Sequence, residues 1–266
     1  MLFAVAILNL LLVSTALAAP RTLADRVRRR REGRQSKVRR SIGPDVQPGQ
    51  TATTYSTHNW AGAVWDTYPV NSFQAVTGTF VVPNPTLSRG QNWGAACAWV
   101  GIDGSTCLNA ILQAGVDFYN DNGEISYYTW YEWYPAVSID FEGVTMAAGH
   151  SVAITVTATS STSGTVVMEN KSTKQIATSF VNSTYPLCQQ NAEWIVEDFE
   201  QDGSMLPFAN FGTITFTESY ATTLAGAKLD TTNTTIINIE QYRQLLTSVS
   251  AGSGNVTIQY LDVPSY

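Results

Sequence analysis

The 266-residue sequence is poor in the groups on which most enzyme chemistries rest. It has three cysteines and two histidines, and only five of its fifteen basic residues lie beyond position 50. His58 and His150 form no HExxH, and no Cys/His cluster stands at metal-ligand spacing, so a zinc hydrolase and any bound metal are excluded. The nucleophile elbow Gly-x-Ser-x-Gly is missing, and the two histidines are expected on exposed turns rather than in a triad. Asp103-Gly104-Ser105 reverses the Asp-Thr/Ser-Gly order of paired-aspartate proteases. No phosphate-cradling glycine loop precedes a helix, so no cofactor is expected. Scattered cations on an acidic body exclude nucleic acid as a partner, since phosphate contacts need clustered Lys and Arg. They also argue against docking on anionic membranes. The one apolar run, Leu2–Val13, is too short to span a bilayer comfortably.

That run has another use. It ends in Ala16-Leu17-Ala18, a small-x-small cleavage pattern, so residues 1–18 read as a secretory signal peptide and the product as soluble and extracellular. Residues 20–50 then hold ten basic and three acidic residues, whereas residues 51–266 hold five basic and eighteen acidic ones. The overall charge of −6 thus hides a +7 segment tethered to a −13 body. Behind a signal peptide, nuclear targeting fails. Residues 19–50 read instead as a basic propeptide or linker whose charged stretch ends at the dibasic Arg39-Arg40 and which a secretory-pathway processing protease would remove; the bland alternative is a solvated tail. Asn-x-Ser/Thr sequons at Asn170, Asn182, Asn233 and Asn255 fit an exported glycoprotein. An oxidising compartment favours one disulfide among Cys97, Cys107 and Cys188, and spacing alone does not choose the pair.

Residues 51–266 carry all seven tryptophans and are ample for one large core. Period-two alternation of β-branched residues dominates. In Ser151–Ser160, Val152, Ile154, Val156 and Ala158 share one face. Similar runs recur at Val76–Val82, Ala98–Ile102, Ile125–Tyr134, Thr165–Glu169, Gln175–Val181, Phe211–Thr217, Thr235–Ile239 and Asn255–Tyr260, separated by Gly, Ser and Asn turns. Helical windows are few, Glu240–Thr247 being the best. The expectation is an all-β, antiparallel sandwich or barrel forming a single domain.

The remaining chemistry is carboxylates and amides among aromatics, in Trp99–Gly104 (WVGIDG), Ile111–Tyr119 (ILQAGVDFY), Tyr128–Pro135 (YTWYEWYP) and Asn191–Glu200 (NAEWIVEDFE). Alternation puts Trp130, Glu132 and Tyr134 on one strand face, and Glu193, Ile195 and Glu197 together on another. Such acids are either cleft residues with shifted pKa values or exposed strand faces. On physics alone the chain is a secreted β-sandwich with an aromatic- and acid-lined groove, open to a carbohydrate-binding module or a glycoside hydrolase with Glu132 and Glu197 about 5–9.5 Å apart.

In this order, the four segments resemble the eqolisins, the secreted fungal glutamic peptidases, from about Asn59-Trp60-Ala61-Gly62 to the C-terminal strands. The resemblance implies a two-sheet β-sandwich that cleaves polypeptides at acid pH without a metal. It implies a catalytic dyad of Gln113 and Glu197, with Glu197 rather than Glu193 as the acid. Trp99, Asp103, Asp117 and Glu132 carry over as supporting residues, and Tyr134 falls where a substrate-covering loop begins. It also implies a Cys107–Cys188 bridge; Cys97 has no counterpart, and Tyr128 stands where some members have an acid. Chemically, an ionised Glu197 can take a proton from water and return it to the leaving amine. Gln113 can polarise the carbonyl and hold the oxyanion through N–H donors present at every pH. A monomer is expected, with its own propeptide as inhibitor, clamped by many surface charge pairs that acid and salt would loosen.

Overall fold

The computed structural model describes residues 33–42 and 54–262. The signal-peptide segment 1–18 and most of the 19–50 segment lie outside the described residues. No helix occurs among the described residues. Glu240–Thr247, the best helical window, is instead the end of the Thr235–Gln241 strand, a tight turn through Tyr242 and Arg243 at φ 52° and 63°, and the start of Thr247–Gly252. Ile237, Ile239 and Leu246 are buried on the sheet, so packing overrides the weak helical spacing.

Two large sheets face each other. The smaller runs Gln175–Asn182, Ser163–Asn170, Ser151–Ser160, Phe73–Val81, Thr213–Thr223, Asn255–Tyr260, Thr247–Gly252. The larger has at its centre Trp60–Trp65, Ala192–Glu197, Trp93–Ile102, Ile111–Asp121 and Glu124–Tyr134 in adjacent order. The expected alternation governs both. Val152, Ile154, Val156 and Ala158 turn inward to meet Ala98, Val100, Leu112, Ala114 and Val116 in the main core. Odd and even positions of the larger sheet therefore part company. Leu112, Ala114, Val116 and Phe118 are core, while Ile111 and Tyr119 join a second buried cluster on the outer face with Trp60, Cys97, Trp99, Trp130 and Ile195. A sheet with both faces buried reads as a near-continuous apolar run. Ile111–Asp121 is buried throughout, yet it carries Gln113 and Asp117, which makes those polar groups informative.

A small three-stranded sheet, Arg34–Gln35 with Glu200–Gln201 and Ser204–Met205, closes over that outer face. The Cys107–Cys188 bridge joins segments 81 residues apart, and Cys97 is a buried free thiol. Of the sequons, Asn182, Asn233 and Asn255 are exposed. Asn170 is not: it is fully buried, its amide nitrogen donating to Thr145 O at 2.7 Å and contacting His150 Nδ1 at 2.9 Å. It acts as a turn anchor, accepting from Ser172 and Thr173 N–H. The expectation of glycosylation at Asn170 is thus not met by the folded geometry.

Non-reducing peptide mapping is expected to find Cys107 joined to Cys188 and Cys97 alkylatable after unfolding. Replacing both bridge cysteines by serine should destabilise the fold by about 4 kcal/mol in the chain-entropy model. Recovery of Cys97 in a disulfide would overturn the pairing.

Candidate active site

Strand pairing builds the cleft. Cys97 stands opposite Asp117 on one side and Glu197 on the other, and Gln113 stands opposite Glu132. Gly115 lies between Gln113 and Asp117 on the same face; a Cβ there would come within 2.6 Å of Trp99 Cβ and 2.8 Å of the Trp130 ring. Glycine is what lets the two indoles close over the strand. Trp99 packs edge-on against Trp60 with centroids 4.8 Å apart, and its Nε1 donates to Glu197 Oε2 at 2.9 Å.

The N-terminal segment runs through this cleft. Arg34 is 1% exposed. Its guanidinium donates to both oxygens of Asp117 (3.2 and 3.0 Å), to Glu132 Oε2 at 2.8 Å and to Cys97 Sγ at 3.4 Å. Trp130 and Phe199 flank it at 3.7 and 4.7 Å. The next backbone groups also meet carboxylates: Ser36 N–H donates to Glu132 Oε2 at 3.1 Å, and Lys37 N–H to Glu197 Oε1 at 3.0 Å. Gln35 Nε2 donates to Pro135 O at 2.5 Å, just past Tyr134, whose ring lies 6.0 Å from Lys37 Nζ. Ser36 and Lys37 are consecutive, so their shared peptide lies over the space bounded by Glu132 and Glu197. Gln113, paired with Glu132, is fully buried, and neither its amide nitrogen nor its oxygen has a partner.

Among the described residues of the segment, Arg34 pairs with buried carboxylates, and buried pairs are screened far less by salt than exposed ones. Arg39 of the dibasic pair is also only 5% exposed, so a protease cutting after Arg40 would have to extract it.

The site residues sort as follows. Trp99, Asp117, Trp130, Glu132 and Glu197 converge on the segment, with Gln113 beside them and Tyr134 at the rim. Asp103 serves otherwise: its carboxylate accepts the N–H groups of Gln189, Gln190 and Asn191 at 2.8–3.1 Å. It anchors the turn leading into Ala192–Glu197 and does not touch the dyad, so its supporting role is positional. Sequence reasoning missed Arg34 and Cys97 as cleft residues. Cys97 was readable by alternation with Trp99. Composition could not single out one arginine among ten. His58 is exposed, and His150 is half-buried against Asn170. One His/Cys/Asp/Glu cluster, Asp103 with Cys107 and Cys188, is compact enough for a metal among the described residues, but its sulfurs are joined in the disulfide.

Burial raises the Glu132 and Glu197 carboxyls. Glu197 is pushed up to about 7 and Glu132 up to about 8, with Arg34's charge holding both below what burial alone would give. Asp103 rises to about 6 for the same reason, opposed by its backbone donors. Burial also raises the Cys97 thiol.

Comparison with known proteins bears on this geometry. Residues 58–260 match the model of the Peptidase A4 family. The chain belongs to that family. It is 39% identical to Aspergillopepsin-2 of Aspergillus niger over 98% of this chain and 100% of that protein. It is 38% identical to Scytalidopepsin B of Scytalidium lignicola over 87% and 88% of the two chains. Among solved structures, scytalido-glutamic peptidase with a transition state analog inhibitor superposes with a TM-score of 0.70 at 38% identity, covering 77% of this chain and 98% of that one. Aspergilloglutamic peptidase from Aspergillus niger gives a TM-score of 0.61 at 45% identity over 63% and 99%. The resemblance, the all-β sandwich and the assignment as a glutamic peptidase, a peptide-bond hydrolase, are thereby established. The carbohydrate-binding and glycoside-hydrolase readings are not favoured.

Between pH 4.5 and about 8 the folded chain holds more protons on Glu132, Glu197 and Asp103 than the unfolded chain does. Their contribution to stability is therefore full in mild acid and lost as pH rises through that window. Calorimetry should show the Tm of the full chain falling from pH 4 to pH 8, by roughly 4–8 °C if about 2 kcal/mol is lost. A flat or rising Tm would contradict the burial described.

Proposed function

We propose that the chain is exported as a precursor and acts as an acid endopeptidase, with Glu197 as general base on water and Gln113 as oxyanion donor. The observation that carries this reading is the unpaired, fully buried Gln113 amide beside a peptide whose N–H rests on Glu197. A buried amide without partners costs free energy, so its persistence fits a carbonyl that arrives with substrate. Glu197 contacts the nitrogen side of the Ser36–Lys37 peptide, where a proton must be delivered to the leaving amine. Glu132 and Asp117 hold the cleft negative, and Trp99 fixes the Glu197 carboxyl through its indole N–H. A solved relative, scytalido-glutamic peptidase, is described with a peptide based transition state analog, which agrees with polypeptide substrates.

In the same reading, residues 19–50 are an inhibitory propeptide and Arg34 is its anchor. Acid removes negative charge from the −13 body as a whole, while the arginines of the segment keep theirs. The segment then leaves, water enters, and relief from burial returns Glu197 to the acid range in which a carboxylate base works. The export reading rests on the apolar run and cleavage pattern within residues 1–18.

Gln113→Ala and Glu197→Gln should each abolish release of peptides from denatured globin at acid pH while the circular dichroism spectrum stays native. Glucan should remain intact with the wild type. Wild-type-like turnover by either variant refutes the dyad, and glucan hydrolysis without peptide release refutes the peptidase reading for this site.

A synthetic Arg21–Arg40 peptide should inhibit the mature enzyme more strongly at pH 6 than at pH 3. Arg34→Ala in that peptide should weaken inhibition more than tenfold, since truncating one partner of a buried charge pair costs about 2–5 kcal/mol. Added salt should relieve only the fraction that depends on the exposed arginines. Equal inhibition by the altered peptide would dismiss Arg34 as the anchor.

A further inference from the structure

Arg34 and Arg39 both leave solvent, but in different company. Arg34 occupies carboxylates that the proposed reaction needs. Arg39 lies in a second acidic nest, off the dyad. Its backbone N–H donates to Gly104 O at 2.9 Å, its Nε donates to Ser105 O at 3.1 Å, and its guanidinium carbon stands 4.8 Å over the Tyr55 ring. The Tyr55 hydroxyl donates to Asp66 at 2.9 Å, and Asp66 accepts a second bond from Thr235. Glu193 completes the nest. It is fully buried, neither of its oxygens has a hydrogen-bond partner, and Arg39 lies within electrostatic reach of it. A buried carboxyl with no donor is a standing demand for one.

The register comes from the backbone. Lys37 N–H on Glu197 marks Ser36–Lys37 as the bond presented to the dyad, and Arg39 is the third residue after it. Over this stretch Asn59 holds main-chain atoms only: its Nδ2 donates to Lys37 O and Val38 O at 3.4 and 3.3 Å, and its Oδ1 accepts Arg40 N–H at 2.9 Å. Any extended peptide could make those contacts, so a substrate can follow the same track and carry its own third residue to the nest.

We propose that the Tyr55–Asp66–Glu193 nest is a substrate subsite for a basic side chain, so that the enzyme favours peptides with Arg or Lys three residues beyond the cleaved bond. The proposal rests on the peptidase reading above. The groups facing the bound cation are Glu193, Asp66, Asp103 and the Tyr55 hydroxyl, with no other cation among the charges acting on Glu193. Burial raises both Glu193 and Asp66, so the preference grows as pH rises and these acids ionise.

The test uses the full chain, incubated at acid pH until its activity on denatured globin is constant. Quenched fluorogenic peptides, identical except for Arg, Lys, citrulline, Ala or Glu at the third position after the cleaved bond, are compared by kcat/KM at pH 3.5 and pH 6. Arg and Lys should exceed citrulline and Ala by about five- to thirty-fold, the span of one or two good polar contacts. Glu should be poorest, and the Arg-to-citrulline ratio should be larger at pH 6. In Glu193→Gln that ratio should fall toward one. Equal rates for Arg, citrulline and Ala in the wild type overturn the subsite, whether or not the variant folds. A preference that survives Glu193→Gln unchanged overturns the nest as its cause. If neither globin nor any peptide is cut, the peptidase reading itself falls and the subsite with it.

Discussion

The outer face of the larger sheet depends on one arrangement: carboxylates taken out of water with too few donors of their own. Glu132 and Glu193 keep unpartnered oxygens, and Glu132, Asp117 and Glu197 reach a tolerable state through Arg34 and two backbone N–H groups of the same segment. Removing charge from water costs several kcal/mol per ion even after relaxation. The face is therefore complementary to a chain that brings cations and amide donors together. A peptide with basic residues is such a chain, and the N-terminal segment is the one the protein supplies itself.

Period-two alternation makes that face available without weakening the fold. Along Ile111–Asp121 one set of side chains builds the core while Gln113, Gly115 and Asp117 face outward, and the neighbouring strands repeat the division. The sandwich thus gains its hydrophobic stability from one side of each strand and leaves the other free for chemistry. A one-residue slip of register would exchange the two sets, so the buried core also fixes which acids line the cleft.

This division explains what could be read beforehand. Alternation in Ser151–Ser160 and Tyr128–Pro135 gave strands and faces correctly, because half-buried strands write their pattern into the sequence. The pairing of Glu132 with Trp130 and Tyr134, and of Glu193 with Glu197, followed from the same rule. Asp103 escaped it: it lies at φ 70° after its strand ends, and its carboxylate turns to the backbone of Gln189–Asn191. Asn170 escaped it too, since a sequon says nothing about whether its amide is already bonded within a turn. Arg34 could not be chosen from ten basic residues by charge, because its place depends on how the segment threads a cleft made of distant strands. The helical window at Glu240–Thr247 failed because a two-residue turn with left-handed backbone carries no hydrophobic signature of its own.

Cys97 connects these points. It lies on the cleft face between Asp117 and Glu197 in register, and it touches the Arg34 guanidinium. A fourth carboxylate in that position would add another buried charge to three already present, and an alkyl group would leave the guanidinium N–H without an acceptor. A neutral thiol avoids both: it is a weak acceptor that carries no charge at the pH where the enzyme is expected to work, and burial keeps its pKa raised. The thiol therefore fits a floor crowded with carboxyls and an arginine, because it accepts a guanidinium N–H without adding a charge to the site.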